Sequence, residues 1–325
     1  MKPIRRHLCA AMLLLPLAMA TAPTQAAAWP ERAITMIVPF PAGGPTDLVA
    51  RVMAAQLGEQ LGQTIVVENK GGASGTIGMI AAAKAPADGY TILYNTSSIA
   101  LSPNLYTKLP LNPAKDFAAV SSTAVIPLVL LTHPSVPANT VEEFIEYAKK
   151  KQGQLAYGSA GAGNVTHLGG YLFNQSTGID AVHIPYRGSA PALVDLVGGQ
   201  FQFMTNTLND SLSFIRDKRV KALAVSSKNR SPMAPDVPTI NETVIPGFEM
   251  GAWQGIVVPA GTPANIVEKL NQEIRTALKS EAILKQLALQ GAEPLGSTPE
   301  EYDAYIRSET KRWGDVIKAA GVKLD

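Results

Sequence analysis

The chain has 325 residues, 46% of them hydrophobic and 17% charged, with a formal charge of +2 and a single cysteine. Lys2, Arg5 and Arg6 lie at the extreme start, where no acidic residue offsets them, so beyond residue 28 the charge falls from +2 to −1. So even a balance excludes the broad basic footprint that holds nucleic acid or anionic lipid, and one cysteine excludes an internal disulfide.

Leu8 to Ala20 is an apolar run broken only by Pro16 and too short to cross a bilayer. Behind the three basic residues it reads as an export signal, and Ala26, Ala27 and Ala28 supply the small residues that a signal peptidase requires before Trp29. Residues 1–28 are therefore expected to be removed near Ala28, leaving an exported chain. Cys9 sits inside the apolar run without small residues ahead of it, so a lipid anchor is not expected. No later stretch is long and apolar enough for a membrane span.

Ala33 to Pro39 reads as a buried strand, followed by a Pro/Gly loop and a helix from about Thr46 carrying Leu48, Val49, Val52, Met53 and Leu57. Thr64 to Glu68 is a second strand, Gly71 to Gly78 a glycine-rich turn into a helix over 77–84, and Tyr90 to Tyr94 a third strand. Val125 to Thr132 is a further strand, with His133 as the expected exit from a first lobe and a helix at Val141 to Lys150. The alternation resumes with strand Leu155 to Gly158, helix Asn164 to Gln175, strand Ala181 to Pro185, helix Ala190 to Leu196, and strands Phe201 to Thr205 and Ala222 to Val225. Gly255 to Pro259 is a last strand, followed by helices Ala264 to Leu278 and Pro299 to Ala320 with a shorter one between. Strands alternating with helices predict an α/β fold with parallel sheets covered on both faces. Residues 29–132 plus 255–325 are expected to form one lobe and 133–254 the other, a clamshell with two crossing hinge segments.

The most informative segment is Val38-Pro39-Phe40-Pro41-Ala42-Gly43-Gly44-Pro45-Thr46-Asp47, which leads from a strand end into a helix start. Gly43 and Gly44 allow a tight turn with exposed N–H groups, Thr46 is a good N-cap, and the helix adds its positive end, so a carboxylate or phosphate would be held by backbone. A plain βα turn punctuated by Gly and Pro is the alternative reading. Ser159-Ala160-Gly161-Ala162-Gly163-Asn164-Val165-Thr166-His167 repeats the arrangement in the second lobe, so two loops could grip one anion from both sides. The N–H groups of Gly43 and Gly163 are expected among the donors. Asp47 either binds a ligand amine or accepts loop N–H bonds, and as an anion beside an anion site is expected to brace its loop; His167 is expected to pack neutral or meet a ligand in the first turn of its helix. Arg187 either pairs with a ligand carboxylate or lies solvated at the edge.

No nucleotide fingerprint is present: there is no G-x-x-x-x-G-K-[ST], and Gly161-Ala162-Gly163 lacks the third glycine of a dinucleotide loop. The Gly71 to Gly78 run is read as packing and turn glycines. Neither Ser159 nor Ser74 lies in a G-x-S-x-G elbow, and the three histidines left beyond residue 28, His133, His167 and His183, form no H-E-x-x-H pair. No catalytic group, metal or cofactor is expected.

Taken together, WPERAITMIVPFPAGGPTD at 29–47, ENKGGASGTIGMIAAAKAPADGYTILY at 68–94, KLPLNPAKDF at 108–117, and YGSAGAGNVTHLGGYLF followed by HIPYRGSAPALVDLVGGQ give a sequence that resembles the periplasmic substrate-binding receptors of tripartite tricarboxylate transporters, the Bug family. The resemblance implies a type II-like periplasmic-binding-protein clamshell, monomeric, in which the loops at Phe40 to Asp47 and Ser159 to Thr166 hold one carboxylate of a small organic acid, partly through waters. It also implies a large and a small membrane subunit as partners, or a sensor kinase as the alternative. Two departures are Pro45 and Asn206, which stand where such receptors often carry glycine and aspartate. Asn206, as a neutral amide facing the cleft, implies that the distal end of the ligand is not an ammonium group, and Ser97 completes the expected contacts.

Overall fold

A computed structural model describes residues 29–324. The expected export signal, Cys9 included, lies outside the described residues. The chain begins with β1 (Ile34–Val38), α1 (Pro45–Leu61), β2 (Ile65–Asn69), a 3-10 turn (Ala73–Gly75), α2 (Thr76–Ala83), β3 (Thr91–Thr96), α3 (Ser98–Leu105) and α4 (Pro113–Asp116). There follow β4 (Phe117–Thr132), α5 (Val141–Lys149), β5 (Leu155–Ser159), α6 (Val165–Thr177), β6 (Ala181–Pro185), α7 (Ser189–Val197), β7 (Phe203–Thr207), α8 (Leu208–Arg216) and β8 (Lys221–Val225). The chain ends through α9 (Ile240–Thr243), β9 (Gly251–Pro259), α10 (Ala264–Ala277), α11 (Glu281–Leu289), β10 (Glu293–Pro294) and α12 (Pro299–Ala320).

β1 is apolar on both faces because it lies between β2 and β3, parallel to both, under helices on each side. α1 buries Val49, Ala50, Met53, Ala54, Leu57 and Leu61, a three-and-four spacing that lays one stripe on the sheet. It stops at Gly62, whose φ of +68° only glycine adopts without strain. The strand order is β2-β1-β3-β9-β4-β7-β5-β6, with β8 and β10 also pairing β4.

β4 belongs to both sheets. Phe117 to Pro127 runs antiparallel to β9, whereas Leu128 to Thr132 pairs with β7 and β8. The return passes from β8 to β9, and Ser226 stitches the two crossings together. Its N–H donates to Leu128 O (2.8 Å) and its hydroxyl to Met250 O (2.6 Å), while it accepts from Leu128 N–H (2.9 Å) and Met250 N–H (3.0 Å). α12 reaches across both layers: Tyr302 and Ile306 pack on the first sheet, while Trp313, Val316 and Ile317 join the core of the second with Phe144, Phe173 and Phe203.

Three elements escape the apolar pattern. The first half of β4 buries Ser121, Ser122 and Thr123, whose hydroxyls are satisfied by Ser297 and Tyr94. α3 carries Pro103, and α8 follows β7 without any loop residue to mark it.

Candidate ligand-binding site

The two glycine loops leave the carboxyl ends of β1 and β5, each the middle strand of a parallel trio, and each runs into a helix start. In the first, Gly44 is the N-cap and Pro45 opens α1. This corrects the expected cap: Thr46 falls inside the first turn, because proline at the first helical position moves the start back by one residue. No side chain caps the helix, and its first internal bond is Leu48 N–H to Gly44 O (3.0 Å), so the N–H groups of Thr46 and Asp47 have no acceptor within the helix. Pro41, Ala42 and Gly43 are exposed beside them.

Asp47 is buried and holds this loop in shape. One carboxylate oxygen accepts Gly43 N–H (2.8 Å) and Arg51 Nε (2.9 Å); the other accepts Asn69 Nδ2 (2.8 Å), which also reaches Phe40 O (3.0 Å). Burial by itself would raise its pKa, but the bonds from Arg51, Gly43 and Asn69 outweigh it and hold the carboxyl below its usual range. Arg51 and Asn69 are bracing partners of Asp47 that sequence reasoning missed, since Asn69 is brought there only by the pairing of Val38 with Asn69 across β1 and β2.

Two neighbouring turns line the same end of the first sheet. Gly75, at φ +92°, leaves room for Phe40 and Ser98: a side chain there would meet Ser98 Oγ at 3.1 Å and the Phe40 ring at 3.5 Å. Ser97 is the buried N-cap of α3, its carbonyl accepting Ala100 N–H (3.0 Å) and Leu101 N–H (3.2 Å), while its own N–H donates to Trp253 O (2.9 Å). Gly78 admits Pro39 and the Lys70 carbonyl, so that run serves close packing.

The second loop is braced in the same manner. Asn164 caps α6, its Oδ1 accepting Thr166 N–H (3.0 Å), which leaves the N–H groups of Val165 and His167 as free first-turn donors. Thr166 Oγ1 accepts Ala160 N–H (2.9 Å), Ser159 Oγ accepts Gly161 N–H (3.2 Å), and His167 Nδ1 accepts Gly163 N–H (3.1 Å). Ala162 is half-buried at the apex. In both loops a glycine N–H is accepted by the side chain four residues later, Asp47 for Gly43 and His167 for Gly163. Both of these expected donors therefore already have an acceptor inside their own loop.

His167 is the neutral, packed alternative: an Nδ1 that accepts a hydrogen bond carries no proton. Its ring stacks on His183 at 3.6 Å and 12°, and His183 Nε2 lies 2.7 Å from Ser159 Oγ. Burial lowers His167 to about 4; burial, then the adjacent His167, lowers His183 to about 3. Arg187 is exposed in the turn after β6, where Gly188 N–H donates to Ala160 O (3.1 Å), so it flanks the second loop. Asn206 is fully buried. Thr205 on the opposite face bonds the Thr166 carbonyl, so strand alternation turns Asn206 toward α8, where Nδ2 donates to Ser211 Oγ (3.1 Å). α6 and the Asn206 side chain are thus on opposite faces of β7.

A depression of about 320 Å³ lies elsewhere, between α3, α4 and α12, lined by Ile99, Pro103, Phe117 and Ile306. Its charged lining residues, Asp303 and Arg307, are paired with each other at 2.6 Å, so it offers no unpaired charge to a ligand. Among the described residues no group of three His, Asp or Glu side chains could hold a metal ion.

The glycines themselves separate the two loops. An added methyl at Gly43 (φ +80°) meets nothing within 4 Å, whereas at Gly163 (φ +71°) it lies 2.9 Å from both Leu105 and Leu324. Gly43→Ala is therefore expected to lose about 1 kcal/mol from its left-handed backbone alone. Gly163→Ala adds about 1–3 kcal/mol of overpacking. Equal urea midpoints for the two variants would contradict this.

A protein-family model described as "Tripartite tricarboxylate transporter family receptor" matches residues 49–322. Protein BugT of Bordetella pertussis is 40% identical over 305 residues, covering 93% of this chain and 94% of its own length. Among solved structures, an R. palustris protein with adipate is 37% identical with a TM-score of 0.81, covering 91% of this chain and 99% of that one. MatC from Rhodopseudomonas palustris with bound malate is 35% identical with a TM-score of 0.76, covering 89% of this chain and all of that one (100%).

Proposed function

Because the chain belongs to the tripartite tricarboxylate transporter receptor family, whose members are periplasmic solute-binding proteins and not enzymes, we propose that it captures a small organic carboxylate between two lobes for such a transporter. The observation that carries this reading is the pair of braced loops. Each presents the unused first-turn N–H groups of a helix at the carboxyl end of a parallel strand, in two sheets that share β4. A carboxylate there would meet N–H donors and two positive helix ends without a buried cation. The adipate and malate in the solved relatives are dicarboxylates, which supports the same ligand class for this chain.

In this reading the protein is exported, its leader is cleaved near Ala28, and large and small membrane subunits receive the ligand. The lobes part where strand pairing changes, between Pro127 and Leu128 and between Met250 and Gly251. Ligand that touches both loops only when the lobes are together stabilises closure.

A thermal-shift screen of refolded mature protein against mono-, di- and tricarboxylates, amino acids and sugars tests the proposal. A dicarboxylate at a hundred times its dissociation constant is expected to add about 2.7 kcal/mol of stability. Stabilisation by sugars or amines alone would overturn it.

A further inference from the structure

Beneath the second loop lies a group that the anion site does not use directly. His183 comes from β6 and His167 from α6, and the pairing of Tyr157 with His183 brings both rings against Tyr157, at centroid distances of 5.0 and 6.2 Å. The outward nitrogen of each ring meets a different end of the loop: His183 Nε2 is 2.7 Å from Ser159 Oγ, and His167 Nδ1 accepts Gly163 N–H at 3.1 Å. Ser159 Oγ in turn accepts Gly161 N–H at 3.2 Å. Two flat rings at 3.6 Å cannot approach further or tilt without losing contact, so their stack sets the separation of the two ends. The titratable groups around them are Tyr157, against both rings, and Tyr171, which acts through Tyr157.

We propose that His167 and His183 are positioning residues that fix the second loop in its binding geometry before ligand arrives, His183 through Ser159 and Gly161, His167 through Gly163. The ligand part of this rests on the receptor reading; the loop part does not. Each ring has an isosteric rescue. Glutamine at 183 places an amide where Nε2 lies, and asparagine at 167 places an acceptor where Nδ1 lies, while leucine fills either site without a polar atom.

The test uses the mature protein and its His183→Leu, His183→Gln, His167→Leu and His167→Asn variants. Two quantities are read: amide hydrogen exchange of Gly161 and Gly163 without ligand, and the dissociation constant for adipate. His183→Leu is expected to speed exchange at Gly161 and weaken adipate about tenfold, the loss of one hydrogen bond to a loop of this kind, and His183→Gln to restore both to within about threefold. His167→Leu should do the same at Gly163, with His167→Asn as its rescue. Leucine variants with wild-type exchange, or amide variants no better than leucine, would overturn the proposal. If the wild type binds neither adipate nor another carboxylate, the receptor reading fails and the exchange data alone decide the positioning role.

Discussion

Lowering the pH from about 6.5 to about 4 is expected to destabilise the native protein by about 4 kcal/mol, with nearly two more protons bound by the unfolded chain than by the folded one. The stacked imidazoles are the cause. In the folded protein His167 titrates at about 4 and His183 at about 3, against an ordinary value of 6.5. Between these values the unfolded chain holds protons that the folded one refuses, so stability is complete above the ordinary value and falls as the pH drops below it. The loss levels off once the folded rings are themselves protonated. Each tenfold change in proton affinity is worth about 1.4 kcal/mol, and the expected loss is roughly half the full displacement because relaxation of the surroundings screens a charge formed in a protein interior.

Asp47 acts in a different window. Its folded pKa is below 3.8, so its stabilisation is present at neutral pH and is lost only as the pH falls further, through that lowered value. Urea unfolding at a series of pH values, with His183→Gln as the control that removes about one proton from the slope, separates the two groups. A flat stability between the ordinary histidine value and pH 4 would show that the stack is protonated without cost to the fold.

The alternation of strands and helices was legible in the sequence because parallel strands buried on both faces read as unbroken apolar runs, and the two loops were legible because a strand end, paired glycines and a helix start are contiguous. What binds those loops into shape was not. Asn69 reaches Asp47 only through the register of β1 on β2, and His183 reaches Ser159 only through the register of β5 on β6. That the N–H groups of Gly43 and Gly163 are held inside their loops has a local cause that sequence did contain: an acceptor side chain stands four residues on in each loop. At Asn206, period-two alternation from Thr205 decides which face the side chain takes, and it takes that of α8.

Gly255 shows how a glycine can be misread as an element boundary. The apolar run Gly255 to Pro259 starts there in the sequence, yet β9 extends back to Gly251 and Gly255 lies within it, between Asn95 of β3 and Ser122 of β4. A side chain at this position would overlap Oη and Cζ of Tyr302 and lie 2.6 Å from the Ser121 carbonyl. Tyr302 is fully buried and its hydroxyl exchanges hydrogen bonds with Asn95, accepting from Nδ2 at 2.8 Å and donating to Oδ1 at 3.2 Å. Displacing the ring therefore lifts the first turns of α12 from the sheet and leaves two buried polar groups without partners. Gly255→Ala is expected to cost about 4 kcal/mol or more, the sum of overpacking and a broken buried bond. The clash also predicts a coupling: when Tyr302→Leu is added, the two losses should fall short of additive by about 1 kcal/mol or more, because the atoms in conflict are gone. Urea midpoints of the four proteins in this cycle measure both quantities. Strict additivity would place the cost of Gly255→Ala in the strand backbone, and Tyr302 would then have no part in the need for glycine at that position.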